Sequence, residues 1–451
     1  MTDITAAGIP PAETQKKSLL TLDDRTRRRN AAEMRFRMMG KIGVLIGILA
    51  LVGLLTSILS NGLSSFQQTF ITLDIHLDPA RLDKSGNRNP EEIAKVTTFG
   101  YAPLIEKALS EAMTAKGILG NGVTVKAAAE LISKEAPADL RNYVIADPQS
   151  IGQTVSFKLL AAGRIDGYYK GRVTMESAKL DRNISPEQLL LADKLKSAGL
   201  LTTKFNWSFF TAPDASDTRP EAAGLGVAII GSLYMMLIVL VLSLPIGVAA
   251  SIYLEEFAPQ NKFTDLIEVN IANLAAVPSV VFGILGLAIF INFAGMPQSA
   301  PVVGGLVLTL MTLPTIIIAT RAAFKSVPPS IRDAALGVGA SKMQAIFHHV
   351  LPLAMPGVLT GTIIGLARAL GETAPLLLIG MVAFVREYPA GPPDGFFDPA
   401  SALPVQVYNW TQRGDPAFIE RASGAIIVLL IFLITMNMVA IILRSRFERR
   451  W

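Results

Sequence analysis

The chain has no cysteine, few histidines and little charge. Of its 451 residues, none is Cys and three are His, so disulfides and thiolate metal sites are excluded and a histidine-based metal centre is not expected. Charged residues make up 17% of the chain, where soluble domains carry about 25%. Hydrophobic residues make up 51%. The composition therefore indicates a large membrane-embedded part.

Catalytic signatures are also missing from the sequence. It contains no GxxxxGK[ST] phosphate-binding loop and no HExxH zinc motif. It also shows no credible pairing of a nucleophile with a base. We therefore expect no enzyme activity, no catalytic residue, no metal and no cofactor in this chain.

Long stretches that are free, or nearly free, of charged residues predict six membrane-spanning helices, since about 20 apolar residues cross a bilayer. The run 269–320 would make a helix of roughly 78 Å at 1.5 Å per residue, so turn-forming residues 292–305 are expected to divide it in two. No cleavable leader is expected, because the first apolar run starts at residue 42 and is too long for one. The predicted spans lie at 42–63, 222–254, 269–291, 306–320, 356–381 and 422–443.

Lys and Arg set the predicted orientation, because they concentrate in cytoplasmic segments. Both ends of the chain are basic, so both termini are predicted to be cytoplasmic. Trp207 falls near a predicted span end, where indole rings favour the bilayer interface. The predicted regions are a basic cytoplasmic segment 1–41, a first span 42–63, a periplasmic domain 64–221, a five-helix core 222–443 with a cytoplasmic loop 321–355, and a basic tail 444–451.

The polar stretch 64–221 is predicted to be a small α+β domain. Ile71, Leu73, Ile75 and Leu77 alternate with polar residues, a pattern typical of a half-buried strand. Segments 102–116, 123–134 and 186–198 have helical spacing. The fold class is therefore an all-α polytopic membrane protein of six transmembrane helices with one small α+β periplasmic domain.

The most informative motif lies between the fourth and fifth spans, at RDAALGVGASKMQAIFHHVLPLAMPG (332–357). Small residues at Ala334 and Ala335 let a helix approach another surface closely. Gly337 and Gly339 permit a bend between two short helices, and Pro352 marks the return to the membrane. An ordinary amphipathic loop is the alternative interpretation.

This stretch resembles the EAA loop of ABC importer permeases, with Asp in place of the usual Glu. The residues that fill the pattern are Asp333, Ala334, Ala335, Gly339, Val350 and Pro352. Three further segments resemble phosphate importer permeases of the PstA type: ARALGETAPL (367–376), YLEEFAPQNK (253–262) and IEVNIANLAAVPSVVFGILGL (267–287). The resemblance implies a MetI-type core and a phosphate permease. It also implies a second permease subunit, an ATPase dimer that contacts the loop, and a periplasmic phosphate-binding protein.

Arg368 and Glu372 are charged residues inside the fifth predicted span. A charge at mid-bilayer costs at least ~2.5–3.5 kcal/mol on insertion scales. The four-residue spacing predicts that both lie on one helix face, with Thr373 adjacent. Two interpretations stay open: a structural ion pair that fastens helices together, or part of a substrate path.

Two other functions are compatible with the sequence. The chain could be a permease for another oxyanion or small solute, or a membrane-anchored periplasmic receptor or scaffold. A receptor needs a cytoplasmic output domain, and no predicted cytoplasmic stretch is long enough to form one. An importer permease is therefore the favoured interpretation.

Overall fold

A computed structural model describes residues 24–118, 124–381 and 384–447. The chain forms two compact units, residues 1–57 and 58–451. The first described helix, α1 (Asp24–Gly62), contributes most of its length to the first unit, and its apolar side chains are exposed. The predicted span 42–63 falls within the candidate span Asp24–Phe66.

A three-stranded antiparallel sheet organises the polar part of the second unit. Strands β1 (Gln67–His76), β2 (Thr154–Leu160) and β3 (Leu201–Phe205) lie in the order β2-β1-β3. The predicted alternation on β1 is confirmed, since Ile71, Leu73 and Ile75 are fully or almost fully buried. We call residues 67–205 the α+β region.

Short helices cover this sheet. Leu109, Leu140 and Leu189 are fully buried against the core that includes β1. Several helices begin with a side-chain cap. Ser185, for example, caps α9 with a reciprocal bond to Gln188. The helices are α2 (Pro79–Leu82), α3 (Pro90–Ile93), α4 (Thr98–Ala115), α5 (Val125–Ala129), α6 (Ala136–Ala146), α7 (Gly163–Tyr169), α8 (Met175–Ala178), α9 (Pro186–Ser197) and α10 (Ser208–Thr211).

The remaining helices form the apolar part of the chain. They are α11 (Gly226–Ile252), α12 (Lys262–Ala275), α13 (Ser279–Gly286), α14 (Pro301–Ser326), α15 (Pro329–Gly337), α16 (Lys342–Ala345), α17 (Leu351–Gly371), α18 (Ala374–Leu378), α19 (Leu403–Thr411) and α20 (Pro416–Phe447). Short π-helical stretches extend α11 to Phe257, α13 to Phe293 and α16 to Val350.

Within the described ranges, five helices are long and apolar enough to cross a membrane, and a bent pair makes a possible sixth. The bent pair consists of Lys262–Ala275 and Ser279–Phe293, and the helix direction changes by 100° between them. Pro278 stands at this bend and precedes the first residue of α13. The predicted mostly helical membrane protein with a small α+β part is therefore confirmed, but the third apolar segment is bent rather than straight.

Small residues bring the central helices close together. A Cβ added to Gly247 of α11 would lie 2.7 Å from Ile316 of α14, and one added to Gly357 of α17 would lie 2.5 Å from Ala323. Such contacts are typical of helix packing in membranes, where close backbone approach replaces the hydrophobic effect. Helix α14 is thus held between α11 and α17.

A buried ionic cluster joins the α+β region to the start of α20. Lys170 lies 2.6 Å from Asp166 and 2.9 Å from Glu420, and Arg172 also pairs with Glu420. The next residue, Arg421, is buried and donates to the Gln68 side chain at 2.8 Å. Through Glu420 and Arg421, these contacts attach the α+β region to α20.

Candidate functional site

Arg368 and Glu372 lie where helix α17 ends. Arg368 is in the last turn, with its side chain 43% exposed, and its Nε is 3.8 Å from Glu372 Oε1. Glu372 follows the last helical residue, Gly371, and its backbone is extended at φ −77° and ψ 132°. The expectation that both residues share one helix face is therefore wrong. The helix stops at Gly371, and Thr373 is the N-cap of the separate short helix α18.

Close packing against α13 supports this break in the helix. A Cβ on Gly283 of α13 would lie 2.7 Å from Cα of Pro375, the second residue of α18. Pro375 is buried at this contact. Non-helical backbone at membrane depth is tolerated only where protein or a water-filled cavity surrounds it. The bend at Pro278 and the break at Glu372 are thus neighbours through the contact between α13 and α18.

The guanidinium of Arg368 has few partners. Among the described residues it contacts only Glu372, and at 3.8 Å that contact is too long for a hydrogen bond. Arg332, in contrast, donates to Glu256 and to two carbonyl oxygens. Arg421 donates to one side chain and two carbonyls. The guanidinium of Arg368 therefore has N–H donors available to bind an anion. The guanidinium groups of Arg332 and Arg421 use their donors in contacts that stabilise the fold.

A cavity of about 230 Å³ lies between α11, α17 and α20. Its lining is apolar, with residues such as Leu240, Leu366 and Met436, and neither Arg368 nor Glu372 belongs to it. An anion would lose its hydration there without a compensating charge. This cavity does not suit a hydrophilic substrate, and the break at Glu372 is the better candidate for a substrate path.

The loop motif forms two short helices joined by a tight turn. Asp333 and Ala334 are exposed on α15, while Ala335 is buried. Gly337 ends α15, and Pro352 is the second residue of α17, inside the continuous helical segment Lys342–Gly371. The exposed side is partly apolar, because Leu336, Val338, Met343 and Phe347 show large exposed fractions.

Gly339 creates the turn between α15 and α16. Its φ is +91°, a left-handed conformation that L-residues avoid. Its N–H donates to the Leu336 carbonyl at 3.0 Å, and the Ala340 N–H donates to the Ala335 carbonyl at 3.1 Å. These two bonds form a Schellman motif, which satisfies carbonyl groups at the helix end. Gly337 lies in the helix and has no such constraint.

Ion pairs that sequence reasoning missed hold this loop in place. Arg332 of α15 contacts Glu256 at 2.7 Å, and Arg321 of α14 contacts Glu268 at 2.5 Å and Glu255 at 3.4 Å. The adjacent Glu255 and Glu256 directly follow an apolar span. Their position at the end of an apolar span could have predicted the ion pairs, because acidic residues there need nearby cations. The pairs tie the end of α11 to the loop.

Asp139 of α6 has a raised pKa in the α+β region. Burial, and then the neighbouring Glu135 carboxylate, raise the pKa of Asp139 to about 7. Arg386 and Arg219 oppose the shift, and both pair with Glu135. Across the described ranges, no group of three or more His, Asp or Glu side chains is arranged to hold a metal ion.

Known proteins resemble both halves of the chain. Residues 243–451 match the family described as binding-protein-dependent transport system inner membrane component, and residues 23–179 match a domain of unknown function, DUF3333. A probable ABC transporter permease protein, YqgI of Bacillus subtilis, is 32% identical over 49% of this chain and 78% of its own length. The phosphate transport system permease protein PstA 1 of Mycobacterium tuberculosis is 31% identical over 51% and 73%.

Two solved structures that the chain matches share little sequence with it. The MetNI methionine ABC transporter in an inward-facing conformation is 15% identical, with a TM-score of 0.38 over 50% of this chain and 95% of that chain. A bacterial ABC transporter for the acidic polysaccharide alginate is 15% identical, with a TM-score of 0.39 over 49% and 79%.

The sequence relatives confirm the resemblance first drawn from the loop at 332–357. Identity of 32% extends over 78% of one permease and identity of 31% over 73% of another. The chain is accordingly a multi-pass inner-membrane subunit, and ATP hydrolysis is carried by a separate subunit. It belongs to the family of binding-protein-dependent transport system inner membrane components, the permease subunits of ABC importers.

Proposed function

We propose that this permease moves inorganic phosphate into the cytoplasm. The observation that carries the proposal is its similarity to several proteins named phosphate transport system permease protein PstA, at 29–31% identity over 228–251 residues. Residues 243–451, which match the family of transport inner membrane components, include the helix break at Glu372. Another oxyanion, such as sulfate or molybdate, is the competing substrate.

Arg368, Glu372 and Thr373 form part of the phosphate path in this proposal. A guanidinium with free donors attracts an oxyanion and can bind it through two parallel hydrogen bonds. A carboxylate nearby competes for the same guanidinium, which keeps binding weak enough for release. The long 3.8 Å separation of Arg368 from Glu372 supports this role, because the pair leaves the guanidinium accessible.

The proposed partners follow from the same assignment. A second phosphate permease forms a heterodimer with this chain, an ATPase dimer binds on the cytoplasmic side, and a phosphate-binding protein docks on the periplasmic side. The segment Asp333–Val350 rests in a groove of the ATPase, in the manner of a helix in a groove. Its exposed Leu336 and Met343 supply the apolar surface that such a contact needs.

Both termini are proposed to be cytoplasmic and the α+β region periplasmic. The chain has no cysteine, so a single introduced cysteine is a clean label. Leu180 is 90% exposed, which makes Leu180→Cys a suitable reporter. An impermeant maleimide should label it in cells with an intact inner membrane. Labelling only after that membrane is permeabilised would contradict the orientation.

Substrate identity is tested by uptake in cells that lack the gene. Deletion should abolish high-affinity uptake of radioactive phosphate under phosphate limitation, and the intact gene should restore it. Sulfate and molybdate uptake are measured in the same cells. Normal phosphate uptake with a loss of sulfate or molybdate uptake would contradict phosphate as the substrate. The assignment of the chain as an importer permease would still stand.

A further inference from the structure

Four aromatic side chains, two exposed and two partly buried, cluster at one end of the sheet. The aromatic patch consists of Phe66, Phe205, Trp207 and Phe210. Its ring centroids lie 4.8 Å apart for Phe205 and Trp207, 5.7 Å for Phe66 and Phe210, and 6.3 Å for Phe205 and Phe210. Trp207 is 72% exposed and Phe205 is 49% exposed. A contiguous exposed apolar patch of this kind marks an interaction surface.

The patch lies at the level where membrane helices begin and end. Phe66 is the last residue of the candidate span Asp24–Phe66. Beneath the patch, Phe209 packs edge-on against Phe66 at 5.6 Å, and its carbonyl accepts a bond of 2.8 Å from Leu225, next to the first residue of α11. Two membrane spans therefore meet the sheet at the patch.

We propose that the aromatic patch is a lipid-contact surface, on which the α+β region rests at the bilayer interface. Indole and phenyl rings prefer the headgroup level, where the ring leaves water and the indole N–H keeps polar partners. Lys204, exposed beside Phe205, can meet headgroup phosphates. The proposal does not depend on the transported substrate.

The three tryptophans of the chain allow a direct test. Trp207 is exposed, Trp410 is completely buried, and Trp451 lies outside the described residues. We would place the full chain carrying Trp451→Phe in phosphatidylcholine nanodiscs, with and without lipids brominated near the headgroup end of the acyl chains. Strong quenching by brominated lipid is expected, with most of it lost when Trp207→Phe is added. Aqueous iodide should quench Trp207 weakly.

A matched control comes from the other end of strand β1. His76 is exposed, and Gln67, at the opposite end of β1, pairs with Phe205 of the patch. Nine residues at about 3.3 Å each place His76 roughly 30 Å along the strand. In the Trp207→Phe, Trp451→Phe background, His76→Trp should respond to iodide and not to brominated lipid. Equal responses of Trp207 and of the tryptophan at position 76, or iodide quenching of Trp207 without lipid quenching, would overturn the proposal.

Discussion

Among the described residues, Arg368 makes fewer polar contacts than the structural arginines Arg332 and Arg421. Its one ion-pair contact among the described residues is at 3.8 Å, and its side chain is 43% exposed within this single chain. The sequence alone leaves two interpretations open, a structural ion pair or a part of the substrate path. The loose 3.8 Å contact supports the proposal that Arg368 acts in the substrate path.

Replacing either member of this pair should abolish transport and leave the protein intact. Arg368→Gln removes the anion-binding guanidinium, and Glu372→Gln removes the group that competes for it. We expect normal membrane levels, ATPase copurification and basal ATPase activity, with loss of phosphate uptake in each single variant. The double variant should also fail to transport, and normal uptake by it would show that the pair is only structural.

Asp139 gives the α+β region a dependence on pH. Its pKa is raised from 3.8 to about 7, so the folded protein holds a proton there that the unfolded chain releases. This contribution to stability is complete below the unfolded pKa and is lost as pH rises through about 7. As the pH rises from about 5 to about 8, the thermal midpoint of the full chain in detergent should therefore decrease. The decrease should be smaller in Asp139→Asn than in the wild type. The control Asp74→Asn, at an exposed position on β1, should keep the wild-type slope. Identical slopes for all three would contradict the assignment.

At the scale of the helix and turn, Gly337 and Gly339 form a natural pair of test sites. An added Cβ meets no atom within 4 Å at either position, yet only Gly339 has a positive φ, at +91°. Gly339→Ala should strain the turn by about 1–2 kcal/mol and displace α16 relative to α15. ATPase copurification and ATP-driven uptake should fall, while Gly337→Ala should leave both near wild type. If the two variants behave alike, the turn geometry is not what couples the subunits.

The sequence predicts where helices lie better than where they stop. Prolines 245, 278, 314 and 375 all occur in predicted spans, but Pro245 and Pro314 lie inside continuous helices. Only Pro278 and Pro375 accompany a bend or a break. The difference comes from packing, such as the close approach of Gly283 to Pro375, which no local pattern reveals. The candidate site was equally hard to predict from the sequence, because Arg332 pairs with Glu256, which lies 76 positions away in the chain.

Across the whole molecule, the α+β region is attached to α20 by buried charge. Glu420 pairs with Lys170, whose side chain is 2% exposed, and with Arg172. Glu420→Ala should lower stability by about 3–5 kcal/mol, because it leaves buried cations short of a partner. The control is Glu111→Ala, which removes an exposed pair with Lys107 at 3.9 Å and should change little. Thermal midpoints of the full chain in detergent measure both, and equal midpoints would show that the buried cluster is not needed for stability.

Helix α20 also differs mechanically from its neighbours. It runs unbroken for 32 residues, about 48 Å, with proline only at its first position, whereas α11 and α14 carry proline inside. Its first turns hold Glu420 and Arg421, the anchors of the α+β region. A helix that is unbroken and held at one end moves as a single body when that end is tilted. A ligand that tilts the α+β region would therefore also displace the C-terminal end of α20.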